Sequence, residues 1–284
     1  MKLLKRIIRM IVNLTFNLLF VFLEKTSIGN VLLRKIGNRV MENVTEIYYK
    51  GVKFYFPSPN DICKFRATTF YTKEPETLEW IDSIPVGSIL WDIGANVGLY
   101  SVYAAKIRNC MVYAFEPSVF NLELLARSLF LNKVSSNVCI CPLALSDKLG
   151  SSDMHMTSTE WGGAMSTFGE DYGYDGEKIN EVFKFQTIGL TMVDVVEKLG
   201  IPNPVYIKID VDGIEHLILG AGREVLLNVK GVLVEVNDDF KTLADGCQEI
   251  LLDSGLVLAH KLHSEMFDNS KDFGHLYNQI WIRP

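Results

Sequence analysis

Residues 208–216 read "KIDVDGIEH": a lysine, two aspartates, a glutamate and a histidine within nine positions. Groups of these types can move a proton, hold a cation or simply cap a helix, and their spacing sorts them. Strand residues i and i+2 face one side, so Lys208 and Asp210 share a face of a sheet. Asp212 and Gly213 then turn the chain. Asp212 is expected to N-cap the following helix, with Glu215 three residues on as its capping-box partner. His216 falls in the first helical turn, where packing or a surface position is the expectation. Asp210 is thus the candidate for chemistry, with Lys208 beside it. The next apolar strand ends "VEVNDDF". If it neighbours the first, Glu235 and either Asp238 or Asp239 come near Asp210. Carboxylates gathered at one sheet edge can bind Mg²⁺ through oxygen or hydrogen-bond hydroxyls without metal. The metal-free reading is preferred, so no metal ligand is assigned and a divalent cation stays the secondary option. His155, in "DMHMTS", is an alternative base.

The elements that must position these residues follow a regular pattern. "EIYYKGVKFYF" (46–56) alternates about Gly51 and predicts a β-hairpin. A short helix is expected over 75–84. Strands at 88–93, 111–116 and 137–145 alternate with helices at 97–107 and 119–133. Residues 150–188 interrupt the pattern, being polar and glycine-rich, with a strand expected at 183–190. The alternation resumes with helix 191–199, strand 205–210, helix 214–227, strand 231–236 and helix 240–253. Two strands, 256–262 and 276–282, close the chain. Apolar strands alternating with helices imply βαβ units, a mainly parallel sheet and helices on both faces. Ligands of such sheets bind beyond the carboxyl ends of the strands, near the switch in strand order.

The first strand ends there in "WDIGANVG". Gly94 and Gly98 permit a tight turn and close approach of a ligand. The loop lacks the third glycine of a dinucleotide site, which disfavours a nicotinamide oxidoreductase, and it lacks the lysine of a triphosphate site. Asp92 would repel a pyrophosphate but could hold an ammonium, directly or through water. Glu116 ends the second strand 24 residues later, where an acid accepts hydrogen bonds from ribose hydroxyls. After the third strand, "PLALSD" and its Asp147 could border a purine. The ligand implied is nucleoside-like, with an amino-acid end and no phosphate.

"DIGANVG", "FEP" and "KIDVDGIE" together resemble the FkbM family of S-adenosylmethionine-dependent methyltransferases, over roughly residues 66–262. The resemblance implies a Rossmann-like seven-stranded methyltransferase sheet, mainly parallel with an antiparallel last strand. It implies S-adenosyl-L-methionine as cofactor and methyl transfer, usually to a hydroxyl, often on a sugar or glycosylated product. By motif, Asp92, Gly94, Ala95, Asn96, Gly98, Glu116 and Pro117 correspond to the cofactor site. A sulfonium leaves as a neutral thioether, so the chemical need is in-line approach and removal of the acceptor's proton. Asp210 is the expected base, with Lys208 and Glu235 completing the catalytic set. Trp161, Phe168, Tyr172 and Tyr174 in the interrupting segment are expected to close over a sugar or glycosyl lipid.

The chain has 284 residues, 48% hydrophobic, with a net charge of −6, which argues against wholesale nucleic-acid binding. Its five cysteines show no C-x-x-C pair and read as reduced thiols, Cys139 and Cys141 as core strand residues. Charge is uneven. Residues 1–50 hold nine Lys/Arg against three Asp/Glu, leaving nineteen against thirty-one in the rest. Residues 1–24, "MKLLKRIIRMIVNLTFNLLFVFLE", carry Arg9, Asn13 and Asn17 as a narrow polar stripe. A helix lying on an anionic membrane surface is expected, the alternatives being packing on the domain or a second copy, or a spanning anchor. The expected organisation is an extension over 1–65 and a methyltransferase domain over 66–284, with 150–188 inserted on the acceptor side. The expected place is cytoplasmic, including the inner face of the membrane. A second functional class, a non-catalytic membrane-associated binding protein on the same fold, differs from the enzyme by binding cofactor without turnover.

Overall fold

A computed structural model describes residues 10, 15–17, 19–263, 266, 270 and 273–284. The expected membrane-surface helix over 1–24 therefore lies largely outside the described residues. Helix α1 (Ser27–Met41) leads into the hairpin β1 (Val44–Tyr49) and β2 (Val52–Pro57). Its turn residues Lys50 and Gly51 have φ of 49° and 80°, the left-handed pair that matches the twist of a two-residue hairpin. Helices α2 (Asp61–Thr68) and α3 (Pro75–Ser83) follow. The βαβ run is β3 (Ile89–Ile93), α4 (Leu99–Arg108), β4 (Met111–Phe115), α5 (Val119–Asn132) and β5 (Val138–Cys141).

The expected third strand over 137–145 is broken. Pro142 has no N–H to donate, and β6 (Ala144–Leu145) leaves the main sheet to pair with β9. Residues 150–188 build more than one strand. β7 (Gly150–Met156), β8 (Thr167–Phe168) and β9 (Phe183–Leu190) join β6 in a second sheet of order β6-β9-β7-β8. The chain then runs α6 (Met192–Leu199), β10 (Tyr206–Ile209), α7 (Glu215–Ala221), α8 (Arg223–Leu226), β11 (Gly231–Asn237), α9 (Lys241–Asp253), β12 (Val257–Leu262) and β13 (Leu276–Ile282). The single helix expected at 214–227 divides at Gly222, where the Met192 side chain fills the space a Cβ would need.

The seven-stranded sheet has the order β12-β13-β11-β10-β3-β4-β5. β13 is antiparallel to both neighbours and the other pairs are parallel, as the resemblance implies. Strand order reverses between β3 and β10, so the ends of these two strands open the ligand crevice. Alternate side chains feed two cores. Trp91, Ile93, Ile207 and Ile209 face α6–α9. Leu90, Val112 and Leu233 face the other side, with Phe54, Phe56 and Phe70 from the N-terminal segment. The hairpin and α2 thus complete the core of one sheet face, and the expected boundary at 65/66 falls inside α2. β5 is an edge strand, which leaves Cys139 exposed rather than in the core.

Candidate active site

Two loops meet at the switch point. Register places Lys208 beside Asp92 and Ile209 beside Ile93, and the Asp210 N–H donates to the Ile93 carbonyl at 3.0 Å. Gly94, at φ 82°, turns the β3 loop against β10. Gly94 N–H and Ala95 N–H both donate to the Phe115 carbonyl, which curls the loop over the end of β4. Glu116 receives the Asn96 N–H on one oxygen and the Ser118 N–H on the other, each at 2.8 Å. Gly98 caps α4 at φ 83° and lies against Leu125, so its part is helix packing rather than ligand contact.

Asp92 is buried behind this loop. It accepts from Ser101 Oγ at 2.5 Å, while its Oδ1 has no hydrogen-bond donor and lies 3.9 Å from Lys208 Nζ. It does not border the cofactor cleft, which corrects the direct contact to an ammonium. A small cavity of about 50 Å³, bordered by Lys208, Tyr100, Ala95 and Asp210, adjoins the β3 loop. That is room for an ordered water beside Lys208 and Asp210, but Asp92 does not border it and reaches the loop only through Lys208 and Ser101.

The cofactor cleft is bordered by Gly94, Asn96, Glu116, Pro117, Leu143, Leu145, Phe168 and Asp210. Apolar walls suit a purine. Burial pushes the Glu116 carboxyl up to about 7, against the backbone N–H groups that favour its charge. Each Glu116 oxygen keeps a lone pair for a ribose hydroxyl, so the donor set fits S-adenosylmethionine. Asp147 does not join this cleft. It bonds Ser146 and borders a separate cavity with Lys148 and Glu170. The turn after β6 carries it away from the main sheet.

A larger cavity of about 390 Å³ adjoins the cleft, and Gly94, Asn96, Asp210 and Asp212 border both. Ile62, Phe65, Met165, Tyr174 and Leu276 give it apolar walls, and Arg66, Lys73, Glu74 and Glu235 give it charge. Asp210, Asp212 and Glu235 bring one carboxylate oxygen each within 4.8 Å of one another. Burial and then the neighbouring Asp210 hold the Glu235 carboxyl well above its ordinary range, and the same causes raise Asp212 to about 6.

Two lysines stand against these acids. Lys208 is buried, with Nζ 3.1 Å from Asp210 Oδ2. Burial would lower its pKa, but Asp210, Asp92 and Glu74 raise it. Lys208 does not border the larger cavity; its Nζ hydrogen-bonds Asp210, which does. Lys73 pairs with Glu74, which with Glu235 and Asp210 holds it charged. Glu74 is buried, which would raise its pKa; Lys73 and Lys208 overcome this and bring it to about 2, and Tyr100 Oη donates to it at 2.8 Å.

Several expectations change. Asp212, at φ 63°, does not cap α7. The N-cap there is Ile214, and Asp212 Oδ2 accepts the Met165 N–H at 2.7 Å. Glu215 does return to the turn, accepting from Val211 and Gly213, with burial raising it to about 8. Asp238 and Asp239 face Lys261 and His275 instead of Asp210, because β11 ends at Asn237 and the chain turns outward. His155 pairs with Glu181 away from both cavities. His216 is a packing residue against Phe240.

Of the four aromatics, Tyr174 borders the acceptor cavity and Phe168 the cofactor cleft. Tyr172 packs on Phe240, and Trp161 on the cluster of Cys63, Val97 and Leu124. Residues 161–166 cross the site as a strap. Gly162 O receives Arg66 Nε at 2.8 Å, Gly163 O receives Asn96 and Asn121, and the Gly162 N–H donates to Asn121. Arg66, Lys73, Glu74 and Asn121 were not legible as site residues. They lie between periodic elements or on a helix whose pattern speaks only of packing.

No curated protein matches this chain. Solved structures resemble it at low identity. TYW2 of M. jannaschii in complex with AdoMet is 13% identical, over 85% of this chain and 87% of that one, with a TM-score of 0.44. The Pyrococcus abyssi tRNA (uracil-54, C5)-methyltransferase with S-adenosyl-L-homocysteine is 12% identical, over 84% and 44%, at 0.49. A precorrin-6y C5,15-methyltransferase from Geobacter metallireducens GS-15 is 15% identical, over 74% and 86%, at 0.42. The Methyltransferase FkbM domain matches residues 92–276, which include both switch-point loops, Glu116, Asp210 and Glu235. The chain belongs to the FkbM methyltransferase family, and its cofactor is S-adenosyl-L-methionine.

Proposed function

We propose that this methyltransferase transfers its methyl group to a hydroxyl oxygen, on the sugar of a glycan, glycolipid or glycosylated product. The observation that carries the reading is the position of Asp210, whose carboxylate borders the cofactor cleft and the 390 Å³ cavity at once. Bound S-adenosylmethionine supplies an electrophilic methyl on a sulfonium. The chain's own task is to orient a hydroxyl and take its proton, since an alcohol is a poor nucleophile near neutral pH. Asp210 Oδ2 is engaged by Lys208, and Oδ1 carries no hydrogen bond among the described residues. Lys208 fixes the carboxylate through Oδ2, which leaves Oδ1 to accept the proton. Glu235, whose carboxyl burial and Asp210 push upward, faces the same cavity and hydrogen-bonds a second hydroxyl of the acceptor. Apolar walls with carboxylates at one end suit a sugar ring carrying an apolar aglycone.

Lys73 and Lys208 already compensate the acidic trio in part. This favours the metal-free form of the reaction. The same acids speak against a polyanionic nucleic-acid acceptor. The test has two arms. Calorimetry with S-adenosylhomocysteine measures the cofactor site, and transfer of labelled methyl from S-adenosylmethionine is followed into oligosaccharide and glycolipid acceptors. Label in an alkali-stable ether supports the reading. Label found only on nitrogen or carbon overturns it, and binding with no turnover on any acceptor returns the non-catalytic alternative.

A further inference from the structure

Helix α1 carries an exposed apolar face that finds no partner among the described residues. In α1 only Gly29 is buried. Ile28, Val31, Leu32 and Ile36 are exposed, Ile28 by 77%. They fall at i, i+3, i+4 and i+8, one side of a helix. Phe16, Leu19 and Phe22, just before it, are exposed too. The two helical segments cross at Gly29, where a Cβ would lie 2.1 Å from the Leu23 carbonyl oxygen, so the glycine fixes a sharp bend of 112°. Among the described residues no single helix is long and apolar enough to span a membrane.

Charge selects what covers this face. α1 contains no Asp or Glu, and Lys35 and Arg39 lie on the same side as the apolar residues, with Arg34 at its margin. Arg34 and Lys35 form no ion pair among the described residues, whereas Arg39 pairs with Glu42 at 3.4 Å. Residues 51–284 hold nineteen Lys/Arg against thirty-one Asp/Glu, so the body is repelled by the anionic surface that the N-terminal segment would meet. Cations set among exposed aliphatic and aromatic side chains match a bilayer interface. The aliphatic stems lie along the acyl boundary and the charges rise to the headgroups.

We infer that α1 docks the enzyme peripherally on an anionic lipid surface, apolar face inward, with Arg34 and Lys35 on the headgroups. The inference stands apart from the choice of acceptor, because the helix lies outside both cavities. The test is flotation of the full chain with vesicles of phosphatidylglycerol and phosphatidylcholine, against phosphatidylcholine alone, across a salt series. Binding should require phosphatidylglycerol, weaken with salt and release in alkaline carbonate. Leu32→Glu/Ile36→Glu should abolish it. Arg34→Gln/Lys35→Gln should weaken it roughly twenty-fivefold, at about fivefold per cation. Both variants should keep the parent's melting temperature and S-adenosylhomocysteine affinity. Should a variant misfold, the salt and lipid series on the unaltered chain still decides.

Three outcomes overturn the inference. No preference for phosphatidylglycerol removes the charge argument. Retention through the carbonate wash means that the bent helix pair spans the bilayer. A concentration-dependent dimer in vesicle-free sedimentation, lost in Leu32→Glu/Ile36→Glu, assigns the face to a second copy.

Discussion

A Cβ on Gly94 would lie 1.8 Å from the carbonyl oxygen of Asp210. The cofactor loop and the strand end bearing the proposed base therefore touch backbone to backbone. No side chain fits between them, and any movement of one loop moves the other. This contact fixes how far Asp210 stands from the cofactor cleft, which is the distance methyl transfer depends on.

Gly94→Ala should accordingly fail twice, by this clash and by its φ of +82°. We expect a loss of more than about 3 kcal/mol in stability, read as a lower melting temperature. S-adenosylhomocysteine affinity should drop beyond calorimetric detection even in the folded fraction.

Asp210→Asn should leave S-adenosylhomocysteine binding within a few-fold of the parent, because the Asp210 backbone contact to Ile93 survives. Turnover on a hydroxyl acceptor should fall by about 10²–10⁴, the usual worth of a positioned base. Adding a chelator to the parent enzyme should leave turnover unchanged.

Glu116 predicts a pH dependence of cofactor binding. Its carboxyl titrates at about 7 in the free protein, and ribose hydroxyls donating to it favour the charged form and lower that pKa. Binding below pH 7 must then release a proton. Affinity should rise with pH up to about 7 and level off above. Calorimetry in buffers of different ionisation enthalpy measures the released proton directly, and Glu116→Gln should abolish the release.

Lys208 is the buried cation shared by Asp92, Asp210 and Glu74. Lys208→Met leaves three carboxylates facing one another and should cost about 3–5 kcal/mol near neutral pH. Glu74 sits at about 2 in the parent, held there by Lys73 and then Lys208, and loses the second of these in the variant. Its stabilising contribution is present above its unfolded pKa and lost as pH falls toward 2, so the difference between parent and variant should shrink in acid. Thermal melts from pH 7 down to pH 3 check the slope.

The sequence by itself determined the sheet, the switch point and the two loops. Those follow from local physics: apolar strands, helical periodicity, and glycines where a strand must turn sharply. It singled out Asp210 and Glu116 because a strand end is a position readable from period alone. Period alone put Lys208 and Asp210 on one face, while the register that sets Lys208 beside Asp92 belongs to the folded sheet. What it misjudged depended on contacts far apart in the chain. Asp212 has the spacing of a helix cap, but the strap residue Met165 claims its oxygen from 47 residues away. Asp147 follows a strand, yet the break at Pro142 carries it into the second sheet. Lys73, Glu74 and Arg66 carry no local signature. They reach the acceptor cavity because the hairpin and α2 pack Phe54, Phe56 and Phe70 onto the sheet's exposed face. Only the tertiary structure decides that, since burial of those rings is what brings their charged neighbours to the site.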